Sequence, residues 1–225
     1  MRLLDLFCGA GGAAMGYFRA GFTEIIGVDL RPQPRYPFDF FRGDALQFLN
    51  LHGHRFDAIH ASPPCQSYSV MKHHQTPGKE HPMLVGAVRR SLERYGKPFV
   101  IENVVGAPLA KSSTLFGEHG VELCGSMFGL PLFRHRLFET SFPVTNVPVC
   151  RHDFVPLNPY NTQSRIKAGL RFGSGAAYQK AMGLDWMVDF KREGTLAVPP
   201  AYTEFIGKQM IDHVTMATRG RSWES

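Results

Sequence analysis

The stretch Met1-Arg2-Leu3-Leu4-Asp5-Leu6-Phe7-Cys8-Gly9-Ala10-Gly11-Gly12 decides the fold. A short apolar run ends in a glycine turn, after which Ala13, Ala14, Tyr17 and Phe18 fall at helical spacing until Gly21 stops the pattern. That order reads as strand, turn, helix. The next apolar run, Ile25 to Val28, closes in Asp29, 18 residues beyond Gly11. A glycine turn lets a ligand approach the backbone at a helix N-terminus, and an acid ending the second strand can accept both ribose hydroxyls. The two together predict a nucleoside cofactor at the carboxyl ends of the strands of an open α/β sheet.

Farther along, Phe38 to Arg42 is expected to form a third strand closing at Gly43-Asp44, and Leu46 to Leu51 a short helix. Asp44 would then stand over the same crevice. Phe56 to Ala61 reads as a fourth strand leading into Ser62-Pro63-Pro64-Cys65-Gln66-Ser67. Paired prolines fix φ and restrict the residues before them, so the Cys65 thiol would be presented from a stiff turn, as a nucleophile needs. The plain alternative is a rigid turn followed by a half-buried cysteine. Residues 66–82 are polar, hold Lys72, His73, His74 and His81, and read as a lid over that turn. Pro82 suits the first position of a helix whose buried stripe is Leu84, Val85, Val88 and Leu92, with Arg89, Arg90 and Arg94 on its other faces. A fifth strand, Phe99 to Ile101, ends in Glu102, which a right-handed crossover would place beside the strand delivering Cys65.

Leu123 to Phe128 and Leu137 to Thr140 are expected as two more strands, flanking Arg134-His135-Arg136. Arginines two apart in an extended segment point the same way, either into the cleft or into solvent. From Ser141 to Gly183 the periodicity fades into Pro, Asn, Gly and Ser, and basic residues (Arg151, Arg165, Lys167, Arg171, Lys180) outnumber the single acid Asp153 up to Lys180. The shift divides the chain into a catalytic and cofactor-binding domain (1–140), a small lobe (141–181) and a C-terminal segment (182–225) whose helix, Tyr202 to Met216, returns to the core. Cys150 and His152 make a Cys-x-His pair; without a second pair, no metal is expected.

The bulk numbers agree with one α/β domain and a small lobe in 225 residues. A formal net charge of +6 favours a polyanionic partner without deciding for one. The four cysteines (Cys8, Cys65, Cys124, Cys150) are too few for a disulfide framework and read as free thiols of a reducing compartment. With no apolar run of about 18 residues and no leader-like start, the expectation is a soluble, cytoplasmic monomer without membrane contact.

Taken in order, Asp5-Leu6-Phe7-Cys8-Gly9-Ala10-Gly11-Gly12, Val28-Asp29, Gly43-Asp44, Pro63-Pro64-Cys65-Gln66, Glu102-Asn103-Val104, Arg134-His135-Arg136 and Ala197-Val198-Pro199-Pro200 with Ile206-Gly207 resemble the DNA cytosine-5 methyltransferases, of the small kind found in bacteria and their phages. The resemblance implies a Rossmann-like S-adenosyl-L-methionine-dependent sheet with a very small recognition lobe, double-stranded DNA as substrate and S-adenosyl-L-homocysteine as product. It implies Cys65 as nucleophile, Glu102 as the acid at cytosine N3, and Arg136, with Arg134 nearby, as donor to cytosine O2. It also implies a cofactor site of Asp5, Phe7, Gly9, Gly11, Asp29, Leu30, Asp44, Ala45 and Pro64. There Phe7 packs on adenine, Asp29 accepts ribose and Asp44 accepts the adenine amine. Nucleic-acid contacts fall to Gln66, Ser67, Lys72, Arg151, Arg165 and Arg171. Leu30 stands where the family has an aromatic, Leu132 where it has Gln and Leu196 where it has Asn. A tRNA cytosine-5 methyltransferase shares these motifs, whereas an inactive nucleic-acid-binding relative would keep the fold and basic lobe but lose the nucleophile, the N3 acid or the cofactor acids, all of which are present; whether the protein has a restriction partner stays open.

Overall fold

The computed structural model describes residues 1–64, 84–109, 119–158 and 171–221. Seven strands, β1 (Arg2–Leu6), β2 (Glu24–Asp29), β3 (Asp39–Arg42), β4 (Ala58–Ala61), β5 (Phe99–Asn103), β6 (His119–Leu123) and β7 (Arg136–Thr140), form one sheet in the order β3-β2-β1-β4-β5-β7-β6. The first five run parallel, whereas β7 pairs antiparallel with both β5 and β6. Because β1 has β2 on one side and β4 on the other, the strand order reverses beside it. A crevice therefore opens at the carboxyl ends of β1 and β4, the place where open α/β sheets take ligands.

Strands β1, β4 and β5 are buried almost throughout, as parallel strands covered on both faces must be. Side chains alternate between those faces. Leu3, Val100 and Phe138 pack with Tyr17 of α1 (Gly12–Ala20) and with Tyr202, Ile206 and Met210 of a C-terminal helix, Pro200–Arg221. Leu4, Leu6, Ile59 and Ile101 pack on the opposite face with Phe48 and Leu49 of α2 (Ala45–His52) and Val88 and Leu92 of α3 (Val85–Glu93). Each such side chain contributes about 1.5–3 kcal/mol on burial.

Local chemistry sets the boundaries. Gly11 starts α1 at φ 86° and Gly21 ends it at φ 122°, both in the left-handed region that favours glycine. Asp44 caps α2, its Oδ1 accepting the Gln47 N–H at 2.8 Å. After β7 the chain loses regular structure until the two-residue parallel pair of β8 (Leu157–Asn158) and β9 (Arg171–Phe172) and the short α4 (Gly175–Ala181), capped by Ser174 Oγ. The C-terminal helix is α5.

One expectation changes, and one helix face gains a partner. The sixth strand is His119–Leu123 rather than Leu123 to Phe128, because Gly125–Phe128 curls into a 3-10 turn closed by Gly129 at φ 69°. Arg89 does not face solvent: its Nε and Nη2 hold the Glu139 carboxylate of β7 at 2.5 and 2.6 Å, with Glu139 1 % exposed. Tertiary pairing with a buried acid overrides the helical stripe.

Helices α1 and α5 lie in close contact because two glycines leave room. A Cβ on Gly16 would meet Thr203 Oγ1 and the Pro200 carbonyl oxygen, and one on Gly207 would lie 2.8 Å from Ala20 Cβ and 2.9 Å from the Tyr17 ring. Since backbone cannot yield as a side-chain tip does, Gly16→Ala is expected to lose about 1–3 kcal/mol, the usual range for overpacking. Urea denaturation followed by circular dichroism checks this; an unchanged midpoint would contradict the packing.

Candidate active site

Glu102 is 6 % exposed at the carboxyl end of β5. The antiparallel register sets Glu102 opposite Phe138, so Arg136, two residues before Phe138 on the same face, reaches it. Arg136 Nε lies 3.0 Å from Glu102 Oε1. Burial raises the Glu102 carboxyl above its ordinary range, while Arg136, a hydrogen bond from Ser62, and Arg134 pull it back down. The carboxyl therefore keeps a proton to higher pH than an exposed glutamate does.

Behind Glu102 runs a polar chain that the sequence reading did not foresee. Tyr17 Oη lies 2.9 Å from His60 Nδ1, and His60 Nε2 lies 2.9 Å from Ser62 Oγ. With Ser62 donating to Glu102, the consistent assignment is Tyr17 O–H to Nδ1, Nε2–H to Ser62 Oγ, and Ser62 O–H to the carboxylate. His60 is wholly buried, and burial pushes its imidazole down to about 3, so it is neutral in this role. A histidine inside the apolar run Phe56 to Ala61 was the available signal. Asn103 was also missed as a participant: its Nδ2 donates to the Pro63 carbonyl at 2.9 Å and ties the end of β5 to the Pro-Pro turn. Cys65 itself, with Gln66, Ser67, Lys72 and Arg165, lies outside the described residues.

Arg134 and Arg136 part company. Arg136 faces Glu102, but Arg134 donates through Nε to the Ala197 carbonyl at 3.1 Å and through Nη2 to that of Thr195 at 2.6 Å. The chain is not yet strand at Arg134, so the two-residue alternation does not hold there.

Around the glycine turn, the Gly9 N–H donates to Asp29 Oδ2 at 3.1 Å and the Arg31 N–H to Oδ1 at 2.9 Å, which aims a half-buried carboxylate along the crevice. Phe7 takes φ 56°, a left-handed conformation that an aromatic residue rarely adopts, at the point where β1 meets the turn. Asp5 is fully buried; Tyr36 Oη donates to its Oδ2 at 3.0 Å, and among the described residues its Oδ1 has no hydrogen-bond partner. Burial raises Asp5 to about 8, with Tyr36 lowering and Asp29 raising it. Asp44 is exposed, Ala45 is buried as the first residue of α2, Leu30 is 65 % exposed, and Pro64 is half-buried. These residues fit a nucleoside cofactor on two observations. Among the described residues a Cβ on Gly9 would meet nothing within 4 Å, which leaves an open cradle, and the buried Asp5 Oδ1 is an acceptor without a partner. Gly11 differs, since Tyr36 and Pro37 pack against the place its Cβ would take.

The family model for C-5 cytosine-specific DNA methylases matches residues 1–116. The chain belongs to this family. Among curated relatives, the type II methyltransferase M.XorII of Xanthomonas oryzae pv. oryzae is 30 % identical over 130 residues, covering 51 % of this chain and 31 % of that protein. M.HgiDI of Herpetosiphon aurantiacus is 28 % identical over 159 residues, covering 61 % and 51 %. The chain thus spans about a third to a half of the length of these relatives. Among solved structures, the Entamoeba histolytica methyltransferase EhMeth superimposes with a TM-score of 0.62 at 14 % identity, over 95 % of this chain and 98 % of that one, and the S. pombe Dnmt2 methyltransferase with 0.61 at 12 %, over 95 % and 99 %. Both show the same Rossmann-like fold.

Of the departures from the family pattern expected from sequence, Leu132 is fully buried against Ala10, Tyr178, Met182, Leu184 and Met187, where an apolar side chain packs without a partner. Leu196 is 63 % exposed. Arg151 is exposed, and Arg171 lies in β9. A cleft of about 480 Å³ lined by Asp57, Tyr95, Lys97 and His213 sits at the amino ends of β4 and β5, the wrong end of the sheet for Glu102. The lone Cys-x-His pair also needs correction: Cys124 and His135 join Cys150 and His152, their ligand atoms all within 4.8 Å of one another. Sequence spacing hid the second pair because His135 and Cys124 lie 15 and 26 residues upstream of Cys150 and are brought to it only by the pairing of β6 and β7.

The buried histidine has a consequence for stability. An unfolded histidine titrates near 6.5 and folded His60 at about 3, so its contribution is complete above about pH 6.5 and is lost as the pH falls toward 3. By about pH 5 the loss is about 2 kcal/mol. Asp5, raised to about 8, works oppositely, its contribution being complete below about pH 4 and lost as the pH rises through 8. His60→Gln removes only the first. The gap in urea midpoint between wild type and His60→Gln should therefore shrink from about pH 7 to about pH 5; a constant gap would contradict a neutral buried imidazole.

Proposed function

We propose that the chain transfers a methyl group from S-adenosyl-L-methionine to C5 of cytosine in double-stranded DNA. The observation that carries the reading is the buried Glu102–Arg136 pair, 3.0 Å apart, at the strand end that Asn103 ties to the Pro-Pro turn preceding Cys65. When bound, the cofactor supplies an electrophilic sulfonium methyl. Asp29, Gly9, Phe7, Asp5 and Asp44 would hold it, with Leu30, Ala45, Gly11 and Pro64 around them.

Cytosine C5 is a poor nucleophile, so Cys65, as thiolate, adds to C6. Glu102 hydrogen-bonds N3 and supplies the proton that keeps negative charge from building on the ring, while Arg136 donates to O2. C5 then takes the methyl, a base removes the C5 proton, and the Cys65–C6 bond breaks as the N3 proton returns to Glu102, releasing the thiolate and 5-methylcytosine. Arg134 acts at one remove, fixing the 195–197 segment beside the site. The target base must be flipped from the stack, at a cost of a few kcal/mol, which contacts from 66–82 and from a recognition lobe over 141–181 offset. Arg151, Arg165 and Arg171 are the lobe's candidate contacts, and so short a lobe suits a site of about two to four base pairs.

Labelled-methyl transfer to DNA and to tRNA, with digestion to nucleosides, tests the reading. Label in 5-methylcytosine from DNA is expected; label confined to tRNA would move the substrate, and none in either would remove the activity. Glu102→Gln is expected to lower turnover by at least about 100-fold, the lower range for a positioned general acid, with cofactor affinity nearly unchanged by calorimetry. Turnover equal to wild type would remove Glu102 from the chemistry.

A further inference from the structure

The geometry points to a structural zinc site formed by Cys124, His135, Cys150 and His152, at the far edge of the sheet from the cofactor crevice. The sulfur of Cys150 lies 3.2 Å from His152 Nε2 and 3.6 Å from His135 Nε2, and the sulfur of Cys124 lies 3.5 Å from His152 Nε2. A tetrahedral zinc with Zn–S near 2.3 Å and Zn–N near 2.0 Å sets its sulfur and nitrogen ligands about 3.5 Å apart. Hydrogen bonding between a thiol and an imidazole explains one such distance. It does not explain four ligand atoms converging within 4.8 Å.

The residues around the four ligands are arranged to hold them. Cys124 is fully buried where β6 ends, and His135 immediately precedes β7, so two ligands stand on the rigid antiparallel pair. Phe133 stacks on the His152 ring, with centroids 3.9 Å apart and planes 22° from parallel, and fixes its orientation. The Ser126 hydroxyl lies 3.4 Å from the Cys124 sulfur and 3.6 Å from that of Cys150, and accepts the Arg151 N–H at 3.3 Å. Such outer contacts are what position thiolates on a metal. Glu122 Oε1, 4.0 Å from His135 Nε2, is the nearest carboxylate.

Four protein ligands leave no open coordination position, which makes the site structural rather than catalytic. On binding, each thiol loses its proton to solvent as its Zn–S bond forms, and the two thiolates balance the ion's double charge. The need for such a clip is visible in the segment it holds. Beyond Phe142 and Val144, which pack on the core, residues 145–156 contain no helix or strand, and Val147, Val149, Phe154 and Val155 are 39 %, 70 %, 39 % and 47 % exposed. With so little apolar burial to anchor this stretch, a metal joining Cys150 and His152 to the β6–β7 edge fixes where the chain leaves the sheet.

Metal analysis of the full chain, purified without chelator, tests the site independently of any methyl transfer. About one zinc per chain is expected, exchangeable for cobalt with the visible spectrum of a tetrahedral, thiolate-ligated ion. Cys150→Ser and His152→Asn alter exposed residues outside the methyl-transfer machinery; both should lose the zinc and the cobalt spectrum, and their melting temperature should no longer respond to a chelator that lowers that of the wild type. If either variant fails to fold, protection of Cys124 and Cys150 from alkylation in the wild type, lost on chelation, decides instead. Wild type without zinc after growth in zinc-supplemented medium would overturn the assignment, as would undiminished zinc in Cys150→Ser or a Cys124–Cys150 disulfide found by mass spectrometry.

Discussion

A carboxyl group buried in a β-sheet must be partnered or protonated, and Glu102 is held between the two. Its burial lifts the carboxyl and Arg136 draws it back, while the chain Tyr17, His60 and Ser62 fixes its orientation from behind. Arg136 occupies its place only because β7 runs antiparallel to β5, and β7 is locked in turn by the Arg89–Glu139 pair from α3. Tyr17 is set by the close packing of α1 on α5. Elements from both faces of the sheet thus converge on one side chain, and loss of any of them is felt there.

The segment from Trp186 to Tyr202 belongs to the same arrangement. Trp186 Nε1 donates to the Ala10 carbonyl in the glycine turn at 2.9 Å, and Tyr202 Oη to the Arg134 carbonyl at 2.6 Å. Arg134 grips the carbonyls of Thr195 and Ala197 from the other side. Leu132 packs against Met182, Leu184 and Met187, so apolar burial does the joining.

Much of the sheet was legible because local signals agreed with one another. The glycine turn, Asp29 at the end of β2 and the apolar runs of β4 and β5 each carry their period and their stop. What escaped was decided by contacts between distant residues. No periodicity reveals that Arg89 turns inward to a buried glutamate, that Gly125 curls rather than extends, or that His60 links Tyr17 to Ser62. The Cys150-x-His152 pair looked solitary because its partners, Cys124 and His135, are adjacent only after β6 and β7 have paired. The arginines at 134 and 136 read as twins, yet one lies in irregular chain and the other in a strand, and they serve different ends.

The central claim is that the turn after Pro64 delivers a nucleophile to a cytosine held by Glu102 and Arg136. DNA carrying 5-fluorocytosine tests it most directly, because fluorine at C5 cannot leave as a proton does and the thiol then cannot be eliminated. Incubated with S-adenosyl-L-methionine, the wild-type chain should form a denaturant-stable adduct that peptide mapping assigns to Cys65. An adduct that persists in Cys65→Ser, or no adduct on DNA that the wild type methylates, would contradict the account.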